Sequence, residues 1–384
     1  MTIEQFIIEQ GINGTSISHL LEGVAERLIA EGLPLCRVYA AIPTVNAAAR
    51  VYNHVWLKDV GSSVEPVSHE RVVGGFEASP FGYMLANEIT RCHWHLAGPN
   101  EPEFPVFEDL RAVGARDYLA HLMSFNNPEA PAIRGMACAF SSDRPDGFTP
   151  VEAARLDGLV PLMSLAAYRM VLLSIATHTL DLYVGLSAGR QVLNGQVRRG
   201  VGERLEAALM VADLRGFTGV ADAAGPGLIA RLDAHLEAMA DPVHEHGGEV
   251  LKFLGDGLLA AFPITPERGR EEACAAALAA AREALSRNAA VNAGHPNGPL
   301  LDLDVALHCG EVFHGNIGGT RRLDFTVIGP AVNETCRLES LCGTLDCNLI
   351  LSRSVAEACG ASVRSLGHHR LRGVAEPREA FALA

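Results

Sequence analysis

The stretch Val250 to Phe262, VLKFLGDGLLAAF, constrains the fold more than any other part of this 384-residue chain. Two short apolar runs are separated by Gly255, Asp256 and Gly257, which are typical turn residues. The pattern predicts a buried β-hairpin, so the sheet that contains it has at least one antiparallel pair of strands. Lys252 and Asp256 interrupt the apolar pattern. A buried charge is costly without a partner, so the hairpin must supply these two side chains with one.

Strand and helix patterns alternate around this hairpin from about Leu205 onward. EAALMVADL and LLDLDVALHCGEV are typical of strands, and NLILS, SVRSLGHHRLRGV and REAFAL predict further strands. GPGLIARLDAHLEAMADPVHEHGG, ERGREEACAAALAAAREALSRNAAV and PAVNETCRLESL are typical of helices. HGNIGG lacks the pattern of a phosphate-binding loop and is interpreted as a tight hairpin. Hairpins among alternating elements indicate an α+β class with a mixed sheet.

Residues 1–170 predict a mixed α/β domain. SHLLEGVAERLIAE predicts a helix, and CRVYAAIPTV, RVYNHVWL and RGMACAFSS predict strands. The segment from 75 to 130 looks irregular, with short helical pieces in SPFGYMLANEI and FEDLRAVGARDYLAHLM. Thr149, Pro150 and Glu152 predict the capped start of a long helix.

The order of these elements resembles GAF-type sensor domains, down to the closing strand, the DRPDGFTP turn and the long exit helix. The resemblance implies a regulatory domain with a pocket for a small-molecule ligand, although no ligand motif is present. Residues 171–203 are predicted to be a helical linker, either a signalling element that dimerises through the helix or a plain spacer.

The formal net charge of −14 argues against general binding to nucleic acid or to anionic membranes, because both would be repelled. A nucleotide in a local basic pocket stays compatible with this charge. The nine cysteines have no Cys-x-x-Cys spacing, which favours reduced thiols in a cytoplasmic protein. The N-terminus lacks a signal-peptide pattern. The apolar window Pro161 to Leu180 is interrupted by Arg169 and His178, so no membrane span is expected.

Asp213 ends a predicted buried strand, and Asp256 lies in the hairpin turn. Each alone is explained by ordinary turn chemistry. If their strands are neighbours, the two carboxylates lie at one end of the sheet and repel unless a cation bridges them. Carboxylate oxygens suit Mg²⁺ or Mn²⁺, which also bind substrate phosphates. Lys252 either pairs with a carboxylate or reaches the edge of a purine.

Four stretches, VADLRGFT, VLKFLGDGLLAAF, HCGEVFHGNIG and FTVIGPAVNETCRLE, resemble in order and spacing the catalytic domain of class III adenylate/guanylate cyclases. The resemblance covers residues 204–384. It implies a mixed-sheet, ferredoxin-like or palm-type fold and a homodimer whose active sites are shared between chains. It also implies two Mg²⁺ or Mn²⁺ ions per active site, held by Asp213 and Asp256.

The resemblance assigns the remaining site residues to the opposite chain. Asn333 would orient the ribose, and Arg337 would stabilise the reacting phosphate. Their spacing of four residues places both on one helix face. Arg372 matches the basic residue that binds the terminal phosphates, although the family often has lysine there and Arg370 lies nearby.

Lys252 and Thr326 match the pair that recognises the purine. Family members that use ATP tend to have lysine at the first position and aspartate or threonine at the second, whereas guanylate cyclases tend to have glutamate at the first. The resemblance therefore implies an adenylate cyclase that acts on ATP. The alternatives are a guanylate cyclase and a catalytically silent cyclase-like module that binds nucleotide or relays a signal.

Two histidine pairs, His93/His95 and His244/His246, have the i, i+2 spacing that places both side chains on one face of a strand. Such a pair could bind a metal ion, but the preferred interpretation is solvated surface histidines.

Overall fold

The computed structural model describes residues 1–45, 49–69, 74–98, 102–221, 227–296, 298–319 and 323–384. The chain divides into two compact units, Met1–His178 and Thr179–Ala384. The domain boundaries expected from the sequence stay a prediction.

The first unit contains a six-stranded sheet in the order β3-β2-β1-β6-β5-β4. Its strands are β1 (Leu35–Pro43), β2 (Val51–Leu57), β3 (Gly61–Val67), β4 (Arg91–His95), β5 (Asp117–Ser124) and β6 (Gly135–Ser142). Its helices are α1 (Ile3–Asn13), α2 (Ile17–Ala30), α3 (Gly74–Glu77), α4 (Pro80–Ala86), α5 (Pro105–Ala112) and α6 (Pro150–Val184), whose last residues belong to the second unit. All pairings between these described strands are antiparallel, so the unit is α+β and the expected α/β class is corrected.

Both faces of this sheet are covered. Residues 119, 138 and 140 pack with α1, α2 and α6, whereas residues 118, 120 and 139 pack with α4 and α5. The alternation follows from the two-residue period of a strand. The start of α6 confirms the predicted cap, since the Glu152 amide donates to Thr149 Oγ1 at 3.3 Å and the Thr149 amide donates to Glu152 Oε2 at 2.7 Å.

The sequence interpretation of residues 75–130 was wrong in one respect. DYLAHLM forms strand β5 instead of continuing a helix. Helix α5 ends before Gly114, whose positive φ of 90° breaks the helix, and the five residues that follow from Asp117 are all buried. A strand buried on both faces lacks the apolar–polar alternation that identifies a strand in sequence.

The second unit contains an eight-stranded mixed sheet in the order β13-β14-β12-β10-β7-β9-β8, with β11 paired to β10. Its strands are β7 (Gly202–Leu214), β8 (Glu249–Phe253), β9 (Leu258–Pro263), β10 (Leu303–Gly318), β11 (Leu323–Ile328), β12 (Leu349–Ser352), β13 (Val363–His369) and β14 (Arg378–Leu383). Its helices are α7 (Leu186–Leu193), α8 (Phe217–Ala221), α9 (Gly227–Glu245), α10 (Arg270–Ala293), α11 (Pro330–Glu339), α12 (Cys342–Leu345) and α13 (Arg353–Ala358). The β10–β12 pair is parallel, which confirms the mixed sheet.

The hairpin predicted for Val250 to Phe262 is present, because β8 and β9 pair antiparallel. The interpretation of HGNIGG as a hairpin is confirmed in part. Residues 314–318 are the end of strand β10 and pair antiparallel with β11, so they form one arm of the hairpin and not its turn. Gly225 and Pro226, predicted as the start of α9, lie outside the described residues.

The histidines of β4 are exposed, as expected, and both also approach the carboxylate of Asp117. His93 Nε2 lies 2.7 Å from Oδ2 of Asp117, and His95 Nδ1 lies 3.5 Å from Oδ1 of the same buried carboxylate. His244 and His246 lie at the end of α9 and beyond it, not on a strand. Within the described ranges, no group of three or more His, Cys, Asp or Glu side chains could hold a metal ion.

Helix α6 is long and apolar enough to cross a membrane by length and composition. Of its most apolar window, 44% is buried inside the structure, where side chains from Ala153 to Val171 contribute to the core of the first unit. The nine cysteines carry free thiols.

Candidate active site

The bend between β8 and β9 lies directly against the end of β7. Strand β9 pairs with β7, with Leu258 opposite Ala212. A Cβ placed on Gly257 would lie 2.5 Å from Oδ1 of Asp213 and 2.3 Å from the carbonyl oxygen of Ala212. Only glycine permits this approach. The bend therefore brings Asp256 to the end of the strand that carries Asp213.

The two aspartates share one electrostatic environment. Burial, together with the charges of Asp256 and Asp304, raises the pKa of Asp213 to about 6. Mg²⁺ and Mn²⁺ are commonly held by one or two carboxylates, with the other positions left to water and substrate phosphates. Asp213 and Asp256 therefore fit the cation that the sequence predicted, although they form no cluster of three protein ligands.

Three charged residues near this pair were missed by the sequence interpretation. Asp304 lies opposite Asp213 in the β7–β10 register and is buried. Arg215 binds both carboxylate oxygens of Asp304. Burial raises the pKa of Glu339 to about 7, with further contributions from Asp213, Asp304 and Asp256. The alternation in DLDVAL was the sequence signal that could have identified Asp304 as an inward-facing residue. The position of Glu339 depends on how α11 packs, so no such signal exists for it in the sequence.

Lys252 forms an ion pair with a residue outside the aspartate pair. The β8–β9 register shifts between Val250 and Lys252, and a bulge of this kind re-aims the side chains of a strand. The Nζ of Lys252 lies 3.8 Å from Oδ2 of Asp324 on β11. Thr326 follows Asp324 by two residues, so both side chains lie on the same face of that strand. The ion pair to Asp324 thus brings Lys252 to the strand that carries Thr326.

Thr326 is buried, and its hydroxyl oxygen has no hydrogen-bond partner among the described residues. An unpaired buried hydroxyl costs free energy, commonly 1–3 kcal/mol. Such a group is expected to gain a partner when a ligand binds beside it.

Asn333 and Arg337 lie on α11 four residues apart, as the sequence predicted. Asn333 is exposed and Arg337 is half-buried. A Cβ placed on Gly373 would lie 3.5 Å from Nη2 of Arg337, so this guanidinium lies beside the turn that carries the exposed Arg372. The structure therefore brings two predicted phosphate-binding cations to one region.

The C-terminal end of α11 lies near the aspartate pair, because the charges of Asp213 and Asp256 contribute to the raised pKa of Glu339. Over the part of the chain that the structure describes, no hydrogen bond or ion pair joins Asp213 or Asp256 to Lys252, Thr326 or Arg337. The roles of the individual residues stay predictions.

The mixed sheet with two carboxylates at one end is compatible with a nucleotide cyclase domain, and comparisons with known proteins support this class. Residues 202–380 match the family model of the adenylate and guanylate cyclase catalytic domain. The chain is 31% identical over 151 residues to an adenylate cyclase of Anabaena cylindrica, a match that covers 38% of this chain and 29% of that protein.

Two solved structures give similar results. The guanylyl cyclase Cya2 is 28% identical, with a TM-score of 0.42, over 48% of this chain and 93% of that one. A bacterial light-regulated adenylyl cyclase is 18% identical, with a TM-score of 0.50, over 65% of this chain and 83% of that one, a likeness of fold alone.

Residues 202–380 are therefore a class III adenylate/guanylate cyclase catalytic domain. The chain spans between 29% and 37% of the length of the curated relatives it matches.

Proposed function

We propose that this protein is an adenylate cyclase that converts ATP to 3′,5′-cyclic AMP and pyrophosphate. The observation that carries the proposal is the ion pair between Lys252 and Asp324, which lies two residues before Thr326 on the same face of β11 in a cyclase domain. The Lys252 ammonium can donate to N1 of adenine. The unpaired Thr326 hydroxyl can accept from the exocyclic amine of the same base.

Guanine would present the opposite pattern on this edge. N1 of guanine carries a hydrogen and O6 is an acceptor. The Lys252 ammonium has only donors, so it cannot form a hydrogen bond with N1–H of guanine. A site built to hydrogen-bond one pattern rejects the other, because its polar groups are left unpaired. GTP is therefore the weaker substrate in this proposal.

The 3′-hydroxyl of the ribose attacks the α-phosphorus, a new P–O bond forms, and the bond to the β-phosphate oxygen breaks to release pyrophosphate. Asp213 and Asp256 would hold the divalent cations, Mg²⁺ or Mn²⁺, which acidify the hydroxyl and neutralise the triphosphate when bound. Asn333 would orient the ribose, and Arg337 would stabilise charge on the reacting phosphate. Arg372 would hold the terminal phosphates.

Catalytic domains of this family act as dimers on a nucleotide substrate. We propose that this chain forms a homodimer, with Asp213 and Asp256 from one copy facing Asn333 and Arg337 from the other. A closed two-fold dimer then has two equivalent sites.

The first unit is proposed to be a GAF-like regulatory domain that responds to a small molecule, with residues 171–203 as the helical linker. Its layered antiparallel sheet and long exit helix support this role. The protein is proposed to work in the cytoplasm.

The proposal is tested by incubating the purified full-length protein with ATP or GTP, with Mn²⁺ or Mg²⁺, and resolving the 3′,5′-cyclic products. Cyclic AMP as the main product is the expected result. Cyclic GMP as the main product would retain the cyclase class and overturn the base-recognition argument. If neither cyclic nucleotide forms while ATP still binds, the catalytically silent module is favoured.

A further inference from the structure

Asp304 places a third carboxylate beside the predicted metal site. It is the register partner of Asp213 in the antiparallel β7–β10 pair. Side chains that lie directly opposite in such a pair share one face of the sheet, with Cβ atoms about 4.5–5.5 Å apart. Asp304 is 5% exposed, so water does not solvate this carboxylate. It is a hard oxygen ligand on the same face of the sheet as Asp213, although in this structure the two do not form part of a three-ligand group within the described residues.

Arg215 occupies this third carboxylate completely. Its Nε donates to Oδ2 of Asp304 at 2.9 Å, and its Nη2 donates to Oδ1 at 2.6 Å. The backbone N–H of Arg215 donates to the carbonyl of Asp302 at 2.8 Å, which fixes the start of the side chain. A bidentate guanidinium–carboxylate pair is strong and directional. Across the described ranges, Arg215 is the one cation paired with Asp304.

We propose that Arg215 is a positioning residue that withholds Asp304 from the divalent-metal site, so that the site presents the two carboxylates of Asp213 and Asp256. The inference rests on the proposed cyclase function of the same site. Arg215 lies two residues after Asp213, so one chain segment supplies a predicted ligand and also removes a competing one. The site then leaves coordination positions for phosphate oxygens, as a nucleotide enzyme needs.

The test measures Mn²⁺ binding to nucleotide-free, full-length protein by electron paramagnetic resonance of the free ion. The variants are Arg215→Met, Asp304→Asn and the double variant. Arg215→Met frees Asp304 and should tighten Mn²⁺ binding roughly tenfold. Asp304→Asn leaves the Arg215 cation with only the exposed carboxylate of Asp346, 3.5 Å away, as an anionic partner, and should weaken binding. The double variant should return to within about threefold of the wild type, because both charges are gone.

A merely structural ion pair gives a different pattern. In that case Arg215→Met would lower the melting temperature and leave Mn²⁺ affinity unchanged or weaker, which would overturn the inference. If Arg215→Met does not fold, Arg215→Lys serves, since a single ammonium cannot hold both oxygens of Asp304. Binding tighter than wild type is expected there, and unchanged binding counts against the proposal.

Failure of the inference and failure of the proposed function are separable. Asp256→Asn reports whether the measured Mn²⁺ is at the predicted site at all, and unchanged binding in that variant would overturn the inference. If the wild type forms no cyclic nucleotide, the proposed activity fails. The Mn²⁺ pattern of the Arg215 and Asp304 variants would still decide the role of Arg215.

Discussion

The aspartate pair illustrates how a site residue lowers the stability of its own fold. Asp213 is partly buried beside Asp256 and Asp304, and its pKa is raised to about 6 as a result. Like charges that have no cation between them repel. A substitution that removes one charge should therefore relieve strain in the metal-free protein while it removes a predicted metal ligand.

Asp256→Asn should lower turnover at least about 100-fold, because one predicted ligand of the catalytic ions is lost. The melting temperature of the metal-free protein should stay equal or rise, since the repulsion with Asp213 disappears. Cyclic AMP formation and thermal unfolding measure the two effects. Asp241→Asn, an exposed aspartate on α9, is the matched control and should change neither quantity. Activity retained in Asp256→Asn would contradict the metal role.

Lys252 is one of two lysines in the chain, among 31 lysine and arginine residues. The other, Lys58, lies in the first unit and pairs with Asp143 at 3.2 Å. All other residues of this lysine and arginine set are arginines. The compact ammonium of lysine makes one directed contact with a ring nitrogen, whereas a guanidinium is a planar fork suited to carboxylates and phosphates.

Lys252→Glu should lower cyclic AMP formation about 100-fold and raise the ratio of GTP to ATP turnover at least tenfold. A glutamate carboxylate can accept a hydrogen bond from N1–H of guanine. N1 of adenine is itself an acceptor, so it cannot form a hydrogen bond with the carboxylate. The matched control is Lys58→Glu, which should leave the ratio unchanged. Because the chain has two lysines, amine-directed labelling with and without ATP gives a second measurement. ATP should protect Lys252 and not Lys58, and equal labelling of both would contradict the assignment.

At the scale of elements, the sequence predicted those with a local signal and failed where packing decides. The β8–β9 hairpin, the cap of α6 and helix α11 follow from turn glycines, a capping box and helical spacing. Strand β5 was missed because burial on both faces removes its alternation. Its neighbour β4 was interpreted through its histidines, whose buried partner Asp117 is distant in sequence.

The candidate site could likewise be predicted only in part from the sequence. Asp213, Asp256, Lys252 and Thr326 stand out because polar residues interrupt apolar strands. Arg215 and Asp304 form their pair across 89 residues of sequence, and only the β7–β10 register reveals it. Local patterns identify which residues are unusual, but the partners of those residues depend on strand pairing.

The cap of α6 gives a pH-dependent prediction. The hydrogen bond from Arg144 holds the pKa of Glu152 below its ordinary value. A lowered carboxyl pKa contributes stability above the ordinary range of glutamate, about 4.3, and this stability is lost as the pH falls through the lower folded pKa. Glu152→Gln should therefore destabilise the first unit by about 1 kcal/mol at pH 7 and by less below pH 4.

Thermal unfolding of the wild type and Glu152→Gln at several pH values measures this difference. Glu129→Gln, at an exposed position before β6, is the control and should stay within about 0.5 kcal/mol of the wild type. A difference between Glu152→Gln and the wild type that does not change with pH would show that the ionised carboxylate is not the stabilising form.

At the scale of the whole molecule, the proposed homodimer would combine two groups of predicted site residues from different chains. In the proposed homodimer, each active site takes Asp256 from one copy and Arg337 from the other. An Asp256→Asn chain and an Arg337→Ala chain should each be inactive alone. A heterodimer of the two has one site with both defects and one site with neither.

Mixing equal amounts of the two inactive variants, with subunit exchange, should restore about 25% of wild-type turnover, since half of the dimers are heterodimers with one intact site each. Cyclic AMP formation after mixing is the measurement. Mixing Asp256→Asn with Asp213→Asn is the control. In the proposed dimer, Asp213 and Asp256 of each site come from the same chain. Each site of this control heterodimer therefore lacks one aspartate, and activity should not return. Restoration in neither mixture would mean that Asp256 and Arg337 act within the same chain, and the shared-site dimer would have to be abandoned.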